Sequence, residues 1–543
     1  LIDDPFLNIY LNPALVPDLG NKDVHLYLDF RGDRTEAPIV DIYPWRDYYF
    51  GGYFAPRYPD NRWFTTSRIE PEPVVSFGII TYPLSEDRNF FIGGSYQLVY
   101  DEDKFYSMPY NIYFPLAGYD AFNNRLELNN VPVVDRYTGK DEMVNETHRF
   151  TAFTGYRLSD QLSLGLSVNG VFQSKDGEFS NTNQDEYGAI DESEWNSSDL
   201  TGRVQEYDHI DYSAGIMYTP SQSFSVGIKA GYLDGDVSQD YISTNSYFSQ
   251  WNEPFVSEEW YKHFSDYSND QFIKHDGSTK YIGFNFKKTF EEKAFIRAYY
   301  RYTHSDVSVA TSSVLADTSD YSSRWVYNTN EWRLYSGYSS VMDDRSGTGE
   351  RTNNKHEGLV SLNWNLNEVV SVSVGLYVKS ELYKINNLED VIAGRISEWN
   401  SSGSNQLPSN YFFSLNEEKT LEWEYESRNT TYQIPVLLQF RFNEYWGLTL
   451  GVSRILNSWR ITDKTTAYFD RRLRNENGTI TEENDFGERY TQPTERITDN
   501  FFDVLAGFNL NITEEFGMQL LLDPEIDPDL RIAQWWLAFR AGI

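Results

Sequence analysis

The stretch Phe224-Ser225-Val226-Gly227-Ile228-Lys229-Ala230-Gly231-Tyr232 decides the fold class. Phe224, Val226, Ile228, Ala230 and Tyr232 fall on one side, with Ser225, Gly227, Lys229 and Gly231 on the other. A strict period of two is the signature of a strand, because successive side chains point to opposite faces. A polar face of Ser, Gly and Lys opposite an apolar face suits a strand with lipid outside and a lumen inside. Its length is close to the roughly 9–11 residues that a tilted strand needs to cross a bilayer. The pattern recurs at 162–168, 370–378, 432–442 and 502–510.

These runs come in pairs joined by short turns near 84–87, 158–161, 220–223, 290–293, 366–368, 443–445 and 513–515, spaced roughly every 62–77 residues. Between the pairs lie polar stretches at 31–73, 101–145, 173–205, 233–279, 304–354, 381–429 and 458–495. Loops of that length are foreign to a compact soluble domain. Alternating short and long connections are the asymmetry of an outer-membrane barrel, short inside and long outside. A soluble propeller would repeat at about 40–50 residues without that alternation. Sixteen strands are expected, at 22–31, 74–83, 90–100, 146–157, 162–172, 206–219, 224–233, 279–289, 294–303, 355–365, 369–380, 430–442, 446–457, 497–511, 516–523 and 531–543. The expected fold is therefore all-β: a closed antiparallel transmembrane β-barrel of about sixteen strands, fourteen being the next even count. It has short periplasmic turns and long structured extracellular loops. Residues 1–20 form a segment at the periplasmic end or lumen, and 21–543 form the barrel.

Composition excludes other classes. The chain of 543 residues has no cysteine, so disulfide frameworks and cysteine-ligated metal sites are ruled out. Its 46 basic and 81 acidic side chains give a net charge of −35, which repels nucleic-acid phosphate. Aromatics at 17% are too many for a disordered chain. No run approaches 18 consecutive apolar residues, and the negative mean hydropathy fits a barrel that gives lipid only alternate residues. The start, Leu1-Ile2-Asp3-Asp4, has neither a basic nor an apolar leader, as expected after removal of a signal peptide.

The segment Asp3-Asp4-Pro5-Phe6-Leu7-Asn8-Ile9-Tyr10-Leu11-Asn12-Pro13-Ala14 resembles the start of FadL-type outer-membrane transporters and their PorV-type relatives. In that family a short segment ending in Asn-Pro-Ala precedes the first strand. Here Asn12, Pro13 and Ala14 hold those positions, and Leu15 replaces the glycine that usually follows. The resemblance implies that residues 1–20 enter the barrel from the periplasmic side. It also implies passage of hydrophobic compounds or, for the PorV type, an accessory or anchoring role in secretion. The ending Trp535-Trp536-Leu537-Ala538-Phe539-Arg540-Ala541-Gly542-Ile543 resembles an outer-membrane insertion signal, with Ile543 where an aromatic is usual. The Tyr-, Trp- and Asn-rich connections resemble those of Bacteroidota-type outer-membrane proteins.

Several groups are candidates for function. By alternation Arg149, Arg157, Lys229, Arg297, Arg301, Lys379, Arg441, Asp211, Glu357 and Asp503 face the lumen, with Lys287, Arg540, Asp29 and Asp523. They would form either a network of ion pairs filling the bore or a mildly basic passage. Ten of fourteen tryptophans fall in the long connections. Trp45, Tyr48, Tyr49, Phe50, Trp63, Trp251, Trp260, Trp332 and Trp423 are the candidates for a loop interface: packing on each other, binding a protein, or stacking on a sugar or apolar ligand. Around Trp423, the residues Leu421, Trp423 and Tyr425 alternate with Glu422, Glu424 and Glu426, as in a strand continuing above the membrane with one packed face and one acidic face. No cofactor is required. Asp523, Glu525, Asp527 and Asp529 are a candidate calcium site, as are Asp234, Asp236 and Asp240, though neither matches an EF-hand.

No Gly-x-Ser-x-Gly, His-Glu-x-x-His or phosphate-binding glycine loop occurs, and the seven histidines are scattered, so no enzyme is expected. Expected partners are outer-membrane lipid and lipopolysaccharide, with an extracellular or periplasmic protein as a further candidate and no nucleic acid. The expected function is passage of small or hydrophobic compounds through the outer membrane. The alternative is a barrel that anchors an aromatic, acidic surface layer for a protein partner or surface assembly.

Overall fold

The computed structural model describes residues 9, 11–15, 23–33, 75–83, 89–111, 133–187, 193–253, 259–291, 293–328, 330–491, 494–513, 515–524 and 532–542. The strands run β1 (Val24–Asp33), β2 (Val75–Thr81), β3 (Phe90–Asn111), β4 (Val133–Ser159), β5 (Leu162–Tyr187), β6 (Ser193–Ser221), β7 (Phe224–Glu253), β8 (Glu259–Phe290) and β9 (Ala294–Asn328). They continue with β10 (Glu331–Asn365), β11 (Val370–Gly403), β12 (Gln406–Arg441), β13 (Trp446–Glu476), β14 (Thr479–Thr491), β15 (Glu495–Asn511), β16 (Phe516–Pro524) and β17 (Ile532–Gly542).

Each strand pairs antiparallel with its chain neighbour, and β1 closes the ring on β17. The exception is β14, which pairs with the upper part of β13, while β15 takes over the lower part. Seventeen strands less β14 leave a closed ring of sixteen. All sixteen sequence-read strands fall on ring strands.

The apolar face of the alternation is exposed all round the ring. Leu164, Leu166, Ile216, Ile228, Phe284, Val360, Leu376, Ile434, Val452 and Phe508 are each more than a third open, Leu166 as much as 59%. Water does not tolerate so continuous an apolar belt on a monomer, so this belt faces a bilayer. The opposite face holds the buried set, such as Phe91, Phe153, Ser213, Met217 and Ser361.

The structure corrects the long connections. Stretches 173–205, 233–279, 304–354, 381–429 and 458–495 are largely strand rather than loop. β4 to β13 run 26 to 36 residues each. A bilayer crossing uses about 9–11 of these. The remainder carries the wall about 40–60 Å beyond the belt, at about 3.3 Å per residue and a barrel tilt. On the other side the described parts of β1, β2, β16 and β17 number 10, 7, 9 and 11 residues. Among the described residues the wall is thus tallest along β4–β13.

The tall wall keeps an inside. Tyr383, Ile385, Trp423, Tyr425 and Ile461 form one buried cluster, and Val391, Ala393, Leu421, Ala467 and Phe469 another. Its buried charges are paired, as burial demands. Arg345 Nε meets Asp343 Oδ1 at 2.7 Å. Glu417 joins Lys419 Nζ at 2.7 Å and Arg472 Nε at 2.7 Å. Burial pushes the Lys419 ammonium below its ordinary value, against the Glu417 carboxylate that holds it charged.

Candidate functional site

The short-turn end of the bore is occupied by the chain's own N-terminal segment. Asn12 and Ala14 are fully buried there. Asn12 Nδ2 donates to Asn285 Oδ1 of β8 at 3.0 Å and lies 3.3 Å from the Ile228 carbonyl and 3.4 Å from the Ile216 carbonyl, on β7 and β6. Asn12 Oδ1 accepts the Ala14 N–H at 3.0 Å, and the Leu15 N–H returns to the Asn12 carbonyl at 3.0 Å. This closes a tight turn at Pro13-Ala14, where proline pre-sets the backbone. On β5, Ser163 Oγ donates to the Ala14 carbonyl at 2.6 Å. Ile9 packs against the other side of the bore, with Tyr27, Ile80, Tyr82, Phe91 and Phe153. One short segment therefore braces β1–β4 through Ile9 and β5–β8 through Asn12–Ala14.

The wall makes room for this segment with glycine. A Cβ on Gly215 would overlap Asn12 Oδ1, one on Gly165 would overlap the Pro13 carbonyl, and one on Gly227 would stand 2.8 Å from Asn12 Nδ2. These strand-interior glycines mark a close approach of one backbone to another.

The bore has two characters. Its β1–β4 side is apolar around Ile9. Its β6–β11 side is charged. Tyr281 Oη donates to both Asp211 oxygens at 2.9 Å. The cations of Lys229 and Arg301 stand 5.5 and 5.3 Å from the Tyr281 ring centre. Arg301 also meets Glu357 at 3.5 Å, and Lys355 meets Glu357 at 2.8 Å. Lys379 meets Glu381 at 3.3 Å, and Glu381 accepts from Asn353 at 2.7 Å. Of the ten lumen candidates, Lys229, Asp211 and Arg301 thus meet around Tyr281, and Arg301 continues to Glu357. Arg149, on the same face, donates to Gln97 at 3.4 Å. Lys379 is the register partner of Glu357 and extends the group, whereas Arg157, Arg297, Arg441 and Asp503 share that face at other positions. Arg540 pairs with Asp29 across the β1–β17 closure.

The β1–β4 wall is apolar on its outer face, and inside it mixes the Ile9 cluster with buried Ser76, Ser95 and Thr151. Outside it lies a concavity of about 1410 Å³, lined by Leu26, Phe77, Ile79, Tyr96, Phe150 and Phe539 among others. Between the two faces β3 carries Gly93-Gly94, opposite Ile80 and Ile79 of β2, and Gly78 stands opposite Ser95. Gly78 and Gly93 lie on the inner face, directly against the rings of Tyr27 and Phe153, and Gly94 lies on the outer face.

The interface candidates separate. Trp251 and Trp325 lie 6.0 Å apart on the inner face. Trp260 stands opposite Arg324 on the outer face, and the Arg324 guanidinium lies 5.4 Å from the Trp332 ring. Trp423, 4% exposed, donates through Nε1 to Asp463 at 2.8 Å, so it is core rather than docking surface. Trp45, Tyr48, Tyr49, Phe50, Trp63, Glu525, Asp527 and Asp529 lie outside the described residues, as does the side chain of Asp523. Asp236 has Lys274 at 3.5 Å, and no three His, Asp or Glu side chains converge on an ion position among the described residues. Sequence reading missed Tyr281, Asn285 and the two glycine sets. Gly93-Gly94 was visible as a pair inside a strand, the signal of a close approach or a thin wall.

No family model matches the chain, and no curated protein matches it. Among solved structures it is similar to the P. putida toluene transporter TodX, with a TM-score of 0.35 and 9% identity over 98% of this chain and 92% of that one. It is similar also to the Ralstonia pickettii toluene transporter TbuX, with a TM-score of 0.28 and 10% identity over 99% and 94%. The ferric-catecholate import receptor Fiu from E. coli K12 follows at 0.20 and 8% over 76% and 82%. Scores at this level attach no substrate to this chain.

Proposed function

We propose that this chain is an outer-membrane barrel that passes small hydrophobic compounds, with the tall wall outside and the short turns in the periplasm. The observation that carries the reading is the β2–β3 seam. There an apolar inner cluster at Ile80, Phe91 and Phe153 lies back to back with the apolar outer concavity, across strands where Gly78 and Gly93 let the Tyr27 and Phe153 rings lie directly against the backbone and Gly94 opens the outer face. The N-terminal segment obstructs the straight route at the short-turn end, so a compound that enters the bore leaves sideways into the bilayer.

The test is uptake of radiolabelled naphthalene by intact Gram-negative cells, whose lipopolysaccharide layer holds back apolar compounds where a liposome would not. Cells expressing the protein are expected to take it up faster than cells lacking it. Gly94→Leu should remove most of the gain, since its side chain enters the outer concavity with only the Thr151 carbonyl within reach, 3.2 Å from the Cβ. Equal uptake with and without the protein would defeat the reading.

The anchoring alternative draws on the outer face of the tall wall, where Val314, Met342, Leu388 and Ile392 are 48–58% exposed. It predicts a protein that co-purifies in mild detergent and is released by Ile392→Asp.

A further inference from the structure

The inner face of the tall wall changes composition near its upper rim. One register row runs Trp195, Ser249, His263, Tyr321, Gly337 and Trp399 across β6 to β11. The row above runs Trp251, Tyr261, Ser323, Tyr335 and Ser401 across β7 to β11. The row below is Ser197, Tyr247, Ser265, Ser319, Ser339 and Ser397. All sit on the face that carries the buried Ile273, Val309 and Val391 lower down, because no register shift intervenes between these rows and those residues on β6–β11. The three rows contain rings, serines and one glycine, with no Asp, Glu, Lys or Arg. In a chain of net charge −35 that is a marked local departure. Charge borders the band on both sides: at Asp199, Asp317 and Arg395 one row below, and at Glu259 and Arg333 one row above, where Arg333 bonds the Tyr335 side chain.

The rings meet tilted or edge to face rather than stacked. Tyr261 and Tyr321 are 5.4 Å apart at 66°, Tyr247 and His263 5.2 Å at 57°, and Tyr335 and Trp399 5.9 Å at 51°. Trp399 remains 50% exposed and Trp325, beside the rows, 38%. The hydroxyls among them are directional: Tyr321 and Ser323 oxygens lie 2.6 Å apart, and Trp325 Nε1 donates to Ser323 Oγ at 3.1 Å. The band spans six strands, about 24 Å wide at about 4.8 Å per strand.

We infer that this band is a binding platform for a neutral oligosaccharide. A sugar ring offers an apolar C–H face, which stacks on Trp and Tyr, and an equatorial rim of hydroxyls, which serine and tyrosine hydroxyls satisfy. An ionic ligand would find no counter-charge in these three rows. A purely apolar ligand would strip water from the serine hydroxyls without replacing their hydrogen bonds, an unfavourable exchange. Rigid aromatic rings interleaved with Ser and Gly also lose little conformational entropy on binding. The platform is independent of the seam through which hydrophobic compounds are proposed to leave.

The test uses the full chain purified in detergent. Cellohexaose, maltohexaose and a linear mannohexaose are titrated by calorimetry, with naphthalene as an apolar probe. At least one hexasaccharide is expected to bind saturably. Trp399→Ala and Tyr335→Ala should each weaken it about tenfold, the effect of losing one ring contact. Trp399→Phe should restore most of the affinity, and Trp364→Ala, in the lipid-facing belt, should leave it unchanged. Trp399 is half-exposed and Tyr335 partly buried, and unchanged circular dichroism confirms that the barrel stands in both variants. Absence of saturable binding by all three sugars would overturn the inference. So would binding that Trp399→Ala and Tyr335→Ala leave intact, or binding of naphthalene alone.

Discussion

Asn12 uses its whole side-chain amide to hold one turn inside the barrel, and Gly215 is the wall position that permits it. Replacing Gly215 with Ala places a methyl where Asn12 Oδ1 now sits, so the segment must move. Because the chain has no cysteine, Ala14→Cys is a clean reporter. Its labelling by an aqueous maleimide is expected to speed up about tenfold in Gly215→Ala, the equivalent of losing about one buried hydrogen bond. An unchanged rate would remove the bracing role from Asn12. His275, on the inner face of the tall wall, carries a second prediction. Burial, with Arg351 beyond it, pushes its imidazole well below the ordinary value. The unfolded wall takes up a proton near pH 6.5 and the folded wall does not. Stability is therefore full above about pH 7 and falls as pH drops through that value, by up to about 1.4 kcal/mol per pH unit. Amide exchange in β7–β9 should quicken accordingly between pH 7 and 5, and His275→Gln should lose the slope. At this scale the sequence disclosed Asn12-Pro13-Ala14 but not their bed. Gly165, Gly215 and Gly227 read as ordinary lumen positions until the segment is placed against them.

Strands were recognisable where lipid enforces strong alternation, and their far ends were not. Above the bilayer the outward face turns from Leu and Ile to Ser, Thr, Asp and Glu, so the contrast between faces fades while cross-strand pairing continues. The stretch around Trp423 kept its contrast: Leu421, Trp423 and Tyr425 are 1%, 4% and 6% exposed, with the glutamates opposite. Trp423→Ala is expected to destabilise the tall wall by about 3–5 kcal/mol, the cost of emptying an aromatic site, whereas Glu422→Gln should stay within about 0.5 kcal/mol. Faster amide exchange confined to β11–β13 in the first variant is the readout, and equal exchange in both would show that the wall has no core there. The β13–β14 hairpin also left a signal that was passed over. Asn477 and Gly478 both take positive φ, 51° and 87°, the two-residue turn that Asn-Gly favours.

For the whole molecule, the ring of sixteen followed from counting hairpins, while the height of the β4–β13 wall did not, because no turn residue encodes how far a strand continues beyond the bilayer. At the β2–β3 seam the Ile9 cluster inside backs onto the apolar concavity outside. The most direct test of passage through that seam is a reversible staple across it. Ile79 and Gly94 are register partners on β2 and β3. In Ile79→Cys/Gly94→Cys, naphthalene uptake by cells expressing the oxidised protein should fall to the level of cells without it, and return on reduction with dithiothreitol. Uptake that is the same in the oxidised and reduced forms would contradict the account.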